Sequence, residues 1–172
     1  MLDIETLGKK PGCIVLSIGA VFFDPHQAGE QKGHTFYRNI TQHSCKLIGL
    51  VEDPDTVKWW SEQKPEAWAR LADNQQDVWQ VAADFIAWFI SNGGEKIWCQ
   101  GATFDAPIME EVFNRLGLTP PWKFFNIRDT RTVYDICGFN SYSVKREGTY
   151  HNALDDSLHQ VKCVTQAIRW RG

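Results

Sequence analysis

The chain has 172 residues, of which 43% are hydrophobic and 23% are charged, and its formal net charge is −3 at pH 7. A chain of this length and balance can bury its own core, so we expect a single domain over residues 1–172 rather than a disordered chain. The small negative charge excludes a protein that coats nucleic acid through a basic surface, but it allows a pocket that holds one nucleic-acid end.

The five cysteines are scattered along the sequence without a C-x-x-C pair. This spacing is typical of reduced thiols and unlike a disulfide framework or a zinc site. No apolar run approaches the ~18 residues that a membrane span needs, and the N-terminus lacks the basic and apolar segments of a signal peptide. We therefore expect a cytoplasmic protein with no membrane partner.

The first third of the chain predicts strands. Residues 1–4 are strand-like but few, and residues 14–23 are β-branched, aromatic and apolar, as in a buried strand. A turn is expected at residues 24–29, followed by a returning strand at residues 34–40. The second and third strands should therefore form an antiparallel hairpin.

The rest of the chain alternates helices with short strands, which predicts an α/β fold with a mixed sheet and helices on its faces. Asp, Thr and Pro mark the helix starts, and Gly marks several ends. The predicted elements are a helix capped by Asp55 or Thr56 and running through Gln63, a short helix from Pro65, a helix capped by Asp77 and ended by Gly93, a strand at 96–100, a helix at 106–116, a strand at 124–127, a helix at 130–137, a loop at 138–148 and a helix at 155–170.

Two carboxylates stand two residues apart on the first predicted strand. Side chains alternate along a strand, so Asp3 and Glu5 project to one face while Leu2 and Ile4 pack on the other. Adjacent carboxylates repel each other unless a cation or a proton lies between them. The pair therefore indicates a cation site, although a solvated strand end would carry the same residues.

Further acidic positions follow later elements. Asp105 comes after a predicted strand, at the strand end where open α/β sheets bind ligands, and its simpler role is that of a helix N-cap. His151 and Asp156 would lie ~140° apart on one helix, so His151 must stand on the preceding loop if both serve one site. Otherwise, Asp155 and Asp156 are acids favoured by the helix dipole.

Together these positions predict a site for hard cations. Carboxylates from separate elements, without a Cys/His cluster, suit Mg²⁺ or Mn²⁺ better than zinc. Two such ions ~3.5–4 Å apart can hold the attacking and leaving oxygens of an in-line phosphoryl displacement. A histidine titrates near neutral pH, so His151 can take the proton from a metal-bound water.

The same residues resemble the DEDD exonuclease superfamily, in its histidine-containing (DEDDh, DnaQ-like) branch. The family's D-x-E motif corresponds to Asp3 and Glu5, its middle acid to Asp105, and its H-x-A-x-x-D motif to the segment from His151 to Asp156. The segments between these motifs look like a branch of phage and prophage 3′–5′ exonucleases and bacterial exoribonuclease-like proteins. The resemblance covers nearly the whole chain in order and spacing.

The resemblance implies an RNase H-like fold, with a five-stranded mixed sheet and helices on both faces. It also implies two divalent metal ions, Mg²⁺ or Mn²⁺, and the release of nucleoside 5′-monophosphates from a 3′ end. Relatives suggest a homodimer. The residues that it assigns are His151 as the general base and Asp3, Glu5, Asp105 and Asp156 as the metal ligands.

The match has one ambiguous position and one short segment. Asp155 is adjacent to the assigned ligand, but the motif spacing favours Asp156. Only Met1 and Leu2 precede Asp3, whereas a central strand normally runs several residues before its catalytic acids. A start site placed too late, or a trimmed chain, would explain this shortness, which bears on the stability of the first strand more than on the chemistry.

A site that removes terminal nucleotides must hold a base, a sugar and a 3′ hydroxyl. The backbone N–H groups after Glu5 are placed to meet the nucleotide, and Phe104 either abuts the sugar or base or packs in the core. Trp59 and Trp60 point ~100° apart on a helix, so one can stack on a base while the other is buried, unless both are buried. The predicted substrate-binding residues are Thr6, Leu7, Gly8, Trp59, Trp60 and Phe104.

Three other charged residues have two alternative roles each. Asp129 follows the last predicted strand, where it supports the site or, as we favour, caps a helix. Lys145 and Arg146 either contact phosphate or form a solvated pair in a loop, which is the more common arrangement.

The leading hypothesis is a metal-dependent 3′–5′ exonuclease. The acidic overall charge leaves little long-range contact with a duplex, so we expect single-stranded DNA or RNA 3′ ends as partners and a nucleoside monophosphate as product. No motif reads the 2′ hydroxyl, so a small-fragment exoribonuclease remains an alternative to a DNA enzyme. The alternative from another class is a nucleic-acid-binding or scaffold domain that keeps this fold without turnover.

Overall fold

The computed structural model describes residues 1–27 and 34–170, so the last two residues of the turn predicted at 24–29 lie outside the described part. The strands within it are β1 (Leu2–Thr6), β2 (Val15–Phe22), β3 (His34–Ile40), β4 (Gln75–Gln76), β5 (Ile97–Cys99) and β6 (Ile127–Asp129). The helices are α1 (Gln42–Leu47), α2 (Pro54–Ser61), α3 (Pro65–Ala72), α4 (Val78–Ser91), α5 (Asp105–Arg115), α6 (Thr130–Cys137) and α7 (Ala153–Trp170).

The strands form two sheets. The larger sheet has the order β1-β2-β3-β4, with antiparallel pairing except for the parallel pair β3 and β4. The predicted hairpin of the second and third strands is therefore confirmed. Strands β5 and β6 pair with each other in parallel as a separate two-stranded sheet. The prediction of one five-stranded sheet is wrong.

Two side chains form hydrogen bonds with backbone groups of β1 that would otherwise pair with a neighbouring strand. The N–H of Ile4 donates to Oδ1 of Asp105 at 3.2 Å, and the carbonyl of Thr6 accepts from Nε1 of Trp60 at 2.9 Å. Strand β5, which lies beside β1, has only three residues that could pair with it. These two hydrogen bonds satisfy two backbone groups of β1, and β5 packs beside β1 without extending the larger sheet.

The alternation of side chains along the strands divides the core between two faces. Leu2 and Ile4 join the larger hydrophobic cluster, to which α4 and α5 also contribute. Met1 and Val21 join the smaller cluster, which they share with α6 and α7. Helices therefore cover both faces, as predicted. Asp3 and Glu5 alternate with Leu2 and Ile4, so they face the α7 side.

Several local predictions differ from the structure. The cap of α2 is Asp53, whose carboxylate accepts from the N–H groups of Asp55 and Thr56, the two residues predicted as caps. The strand predicted at 124–127 is a 3-10 turn (Phe124–Asn126) that precedes β6. Helix α1 and strand β4 were not predicted, because both are too short to show a period.

Other boundaries agree with the prediction. Asp77 caps α4 by accepting from the N–H of Trp79, and α6 spans the predicted residues 130–137. A 3-10 turn at Ser141–Ser143 interrupts the predicted loop. Across the described residues, the helices are all too short or too polar to cross a bilayer.

Candidate functional site

Three carboxylates from two elements converge on the α7 side of the larger sheet. Asp3 and Glu5 lie on β1 and Asp156 lies in the first turn of α7, and one oxygen of each lies within 4.8 Å of the others. Glu5 is buried, with 9% of its surface exposed. The structure thus brings together acids that are more than 150 residues apart in the sequence.

Gly19 allows this approach of α7 to the sheet. It lies opposite Asp3 on β2, and a Cβ atom built on it would stand 2.1 Å from the carbonyl carbon of Ala153. Ser157, one turn further along α7, donates its hydroxyl to the carbonyl of Gly19 at 3.0 Å. A glycine at this position lets the first turn of α7 rest directly on the strand, which places Asp156 beside Asp3.

Asp105 lies beside the carboxylate group but outside the 4.8 Å set of oxygens. It opens α5 without capping it, because its Oδ1 accepts from the N–H of Ile4 instead. The simpler prediction of a helix N-cap is therefore wrong. The side chain is 3% exposed, and its charge raises the pKa of Glu5.

Asp129 caps α6, as favoured, and also holds the backbone of the segment before α5. Its Oδ1 caps α6 by accepting from the N–H of Arg131 at 2.8 Å. Its Oδ2 accepts from the N–H of Ala102 at 2.8 Å and so ties down the segment that leads into Asp105.

The two adjacent acids of α7 have different partners. Oδ2 of Asp155 accepts from the N–H of Thr149 at 2.8 Å, and a Cβ on Gly148 would lie 2.5 Å from the Asp155 carboxyl carbon. Asp155 therefore holds the loop before α7, whereas Asp156 faces the carboxylates of β1.

The carboxylates are strongly perturbed by their surroundings. Burial, with a smaller opposing effect from a hydrogen bond, raises the pKa of Asp3 to about 7, and Nε2 of Gln160 donates that bond at 2.6 Å. Burial and then repulsion from Asp3 and Asp105 raise the pKa of Glu5 to about 9. Burial and the charge of Asp3 also raise the pKa of Asp105. Such a group of acids binds a proton or a cation tightly.

Arg146 reaches this group from the loop before α7. Its Nη2 forms an ion pair with Oδ1 of Asp156, and its guanidinium carbon lies 4.2 Å from the centroid of the Tyr150 ring. The prediction of a solvated pair is therefore wrong for Arg146, while Lys145 is exposed.

His151 stands on the turn before α7, with a φ of 60°, as the helix geometry required. Its ring packs edge-on against Trp59, with 4.9 Å between ring centroids, and lies 5.9 Å from the ring of Trp60. Burial and the charge of Arg146 lower the pKa of His151, so the imidazole is neutral at pH 7. A neutral imidazole can accept a proton.

The two tryptophans of α2 differ in exposure. Trp60 is 1% exposed, and its Nε1 donates to the carbonyl of Thr6. Trp59 is 42% exposed beside His151. The alternative in which both are buried is therefore wrong, and Trp59 is the one available for stacking.

The loop after Glu5 is more fully hydrogen-bonded than predicted. The N–H of Leu7 donates to the carbonyl of Ile14 at 2.9 Å, so it is not free to meet a nucleotide, and that part of the prediction is wrong. Oγ1 of Thr6 donates to the carbonyl of Gly8 at 2.6 Å. Phe104 is half-buried and packs against the larger core cluster.

The donor atoms of the site fit a hard cation. The group of oxygens within 4.8 Å comes from carboxylates alone, with neither a thiolate nor an imidazole among the described members. Oxygen donors of this kind suit Mg²⁺ or Mn²⁺.

Comparison with known proteins agrees with this geometry. A family model described as the 3′–5′ exoribonuclease Rv2179c-like domain matches residues 1–168. The chain belongs to this family. An exodeoxyribonuclease of Enterobacteria phage T4 is 27% identical in an alignment that covers 77% of this chain and 68% of the phage protein. The predicted membership of an exonuclease family is therefore confirmed.

A solved structure shows the same fold. The crystal structure of cell-death related nuclease 4 (CRN-4) matches with a TM-score of 0.53 at 14% identity. The match covers 98% of this chain and 63% of that nuclease, so the chain spans less than two thirds of its length. The RNase H-like α/β architecture is thus confirmed, apart from the division of the sheet.

Sequence reasoning missed two residues that shape the site. Gln160 lies one turn after Asp156 on α7, a spacing that places both on one helical face and that the sequence displays. Gly19 carried no such signal, because a glycine in a buried strand does not reveal what packs against it.

Proposed function

We propose that this domain is a metal-dependent 3′–5′ exonuclease that cleaves the terminal phosphodiester of a single-stranded nucleic acid and releases a nucleoside 5′-monophosphate. The observation that carries the proposal is the convergence of oxygens of Asp3, Glu5 and Asp156 within 4.8 Å, beside the buried Asp105. Membership of the exoribonuclease-like family supports the exonuclease class. The metal ions, the product and the roles of single residues are proposals that go beyond family membership.

Asp3, Glu5, Asp105 and Asp156 would hold two divalent ions, Mg²⁺ or Mn²⁺. When bound, such ions supply an activated water and stabilise the leaving oxygen. Gln160 holds Oδ1 of Asp3 in place from α7, and the N–H of Ile4 does the same for Oδ1 of Asp105. Each carboxylate so held keeps its second oxygen free for a cation.

His151 is the proposed general base. Its lowered pKa keeps the ring neutral at pH 7, and the edge-on contact with Trp59 fixes the plane of the ring. A neutral ring nitrogen accepts the proton of the attacking water, and the conjugate acid can pass it to solvent, since the side chain is only half-buried.

Substrate binding is proposed for the surface around these groups. The exposed indole of Trp59 offers a stacking face that every base can use. Phe104 directly precedes Asp105, and Thr6, Leu7 and Gly8 directly follow Glu5. We propose that both DNA and RNA 3′ ends enter the site. The matching family is described as exoribonuclease-like, whereas the phage relative is named an exodeoxyribonuclease.

We also propose that residues 1–172 form one exonuclease domain and that it works in a reducing compartment. The family match extends over residues 1–168. All five cysteines are unpaired, and four of them are buried, which is the usual state of thiols in such a compartment.

The test is mononucleotide release from a 3′-labelled oligonucleotide with Mn²⁺. Asp156→Ala and His151→Ala should keep the far-UV circular dichroism of the parent and lose activity by at least about a hundredfold. Asp135→Asn, an exposed acid on α6, is the matched control and should keep the parent rate. Parent rates in both site variants, or full activity in excess EDTA, would show that the mechanism is wrong.

Two further outcomes assign the class and the substrate. Binding of oligonucleotides with Mn²⁺ but without release of mononucleotides would identify a silent binding domain on the same fold. Side-by-side rates on DNA and RNA oligonucleotides of one sequence would show whether the site prefers either sugar.

A further inference from the structure

Arg146 is the cation closest to the carboxylate group in the part of the chain that the structure describes. Two contacts hold its guanidinium, the ion pair with Asp156 and the face of the Tyr150 ring. Its side chain is 19% exposed, compared with 14% for that of Asp156. The pair is thus shielded from solvent, where an ion pair is stronger than on an open surface.

The charge of Arg146 acts on the whole site. Its attraction partly offsets the burial that raises the pKa of Asp3 and of Glu5. It also helps to lower the pKa of His151. One guanidinium therefore balances part of the negative charge of the acids at this site.

The loop that carries Arg146 is fixed near its far end. Asp155 accepts from the N–H of Thr149, and Gly148, with a φ of 83°, packs against the carboxyl group of Asp155. The backbone is thereby anchored to α7, while the long side chain of Arg146 keeps its rotatable bonds. The guanidinium can therefore change partners without a movement of the loop.

We propose that Arg146 and a divalent cation compete for Asp156, and that metal binding releases the guanidinium to pair with the phosphate of the bound nucleotide. The proposal rests on the proposed function, because it takes Asp156 to be a metal ligand. A divalent cation on Asp156 would stand next to the guanidinium that is paired with the same carboxylate, and two neighbouring positive charges repel each other. The planar fork of a guanidinium matches a phosphate in the same way as a carboxylate.

This exchange would order the steps at the site. Before metal binding, Arg146 neutralises Asp156 and is not available to a phosphate. After metal binding, the released guanidinium adds a positive charge beside the scissile phosphate. The metal would then raise nucleotide affinity in two ways, by its own charge and by releasing the Arg146 guanidinium.

The first experiment measures Mn²⁺ binding by calorimetry, without nucleic acid. Arg146→Gln removes the competitor and should lower the Kd for Mn²⁺ about three- to tenfold. Lys145→Gln removes the same charge from the exposed neighbour and should change the Kd less than about twofold. A parent-like Kd in Arg146→Gln, or an equal gain in both variants, would overturn the competition.

The second experiment measures binding of a nucleoside 5′-monophosphate at saturating Mn²⁺. Arg146→Gln should weaken it by about tenfold, and Arg146→Lys should restore part of the loss, because it keeps the charge without the fork. Affinity equal to the parent would overturn the transfer to phosphate. Thermal melting establishes that each variant is folded.

The two proposals can fail separately. A parent that binds Mn²⁺ but is unaffected by Arg146→Gln contradicts the competition and leaves the exonuclease proposal standing. A parent that binds no Mn²⁺ contradicts the metal site and, with it, the competition.

Discussion

The backbone N–H of Ile4 donates a hydrogen bond to Oδ1 of Asp105 at 3.2 Å and so joins residues that are 101 positions apart. One carboxylate thereby satisfies a backbone donor of β1 and stands beside the acids that β1 carries. Asp105 thus has a structural hydrogen bond and a proposed role as a metal ligand, and substitutions that keep or remove the acceptor should separate the two roles.

Asp105→Asn keeps an oxygen acceptor for Ile4, whereas Asp105→Ala leaves that buried N–H without one. We expect Asp105→Asn to be more stable than Asp105→Ala by about 1–3 kcal/mol in urea unfolding with EDTA. Both variants should lose mononucleotide release, because neither has the carboxylate charge. Equal stabilities would show that the bond to Ile4 contributes nothing.

Gly19→Ala should damage both the fold and the proposed cation site. The added Cβ would meet the backbone of Ala153 at 2.1 Å, and a helix backbone cannot rotate away as a side chain can. We expect a loss of about 2–4 kcal/mol in the free energy of unfolding and weaker Mn²⁺ binding, since α7 carries Asp156.

The control for Gly19→Ala is Gly117→Ala. Gly117 has a φ of 68° and open space around it, so that substitution should cost only the backbone strain of about 1 kcal/mol and leave Mn²⁺ binding unchanged. Parent-like Mn²⁺ binding in Gly19→Ala would contradict the role of this close contact in placing Asp156.

The raised pKa values predict how stability depends on pH in EDTA. The pKa of Glu5 rises from 4.5 to about 9 on folding, so the folded state holds this proton more tightly than the unfolded state. The stability that it contributes is complete below the unfolded pKa and is lost as pH rises through the folded pKa. Asp3, with a pKa raised to about 7, acts in the same direction.

Glu5→Gln removes this titration and is therefore the reference. Between about pH 5.5 and about pH 8.5, the free energy of unfolding of the parent should fall by at least about 2 kcal/mol relative to that of Glu5→Gln. The difference cancels the contributions of groups that do not interact with Glu5. Parallel curves for the two proteins would mean that Glu5 titrates normally. Mn²⁺ should stabilise the parent most at the upper end of this range, where it replaces the lost protons.

Trp59→Ala tests the exposed indole as a stacking surface. Because the side chain is 42% exposed, the free energy of unfolding should change by less than about 1 kcal/mol. Affinity for a single-stranded oligonucleotide with Mn²⁺ should fall by about tenfold or more, which is the loss expected for one stacked base.

Trp79→Ala is the matched control, since Trp79 is 52% exposed on α4. It should leave oligonucleotide affinity unchanged, as measured by fluorescence anisotropy. Equal losses in the two variants would indicate a general effect of removing a surface tryptophan.

Local patterns in the sequence were sufficient to predict several features of this protein. Strand alternation put Asp3 and Glu5 on one face, and the helical repeat required His151 to stand off the helix that carries Asp156. The cap at Asp77 and the hairpin of β2 and β3 were also predicted. These features depend on near neighbours along the chain, so the residues concerned display them directly.

Contacts between distant elements could not be predicted in this way. The sequence left the exposure of Trp59 and the partner of Arg146 open, and it missed the division of the sheet beside β1. Each outcome depends on which polar groups and surfaces another element presents, and a local pattern carries no information about them.

The sequence by itself thus determined which side chains are candidates for the site and on which elements they lie. Only the tertiary structure decided that α7 rests on Gly19, that Asp105 holds the edge of β1 and that Arg146 pairs with Asp156. The physical reason is that periodicity and capping act over a few residues. Packing and buried charge instead act between groups that become neighbours only when the chain folds.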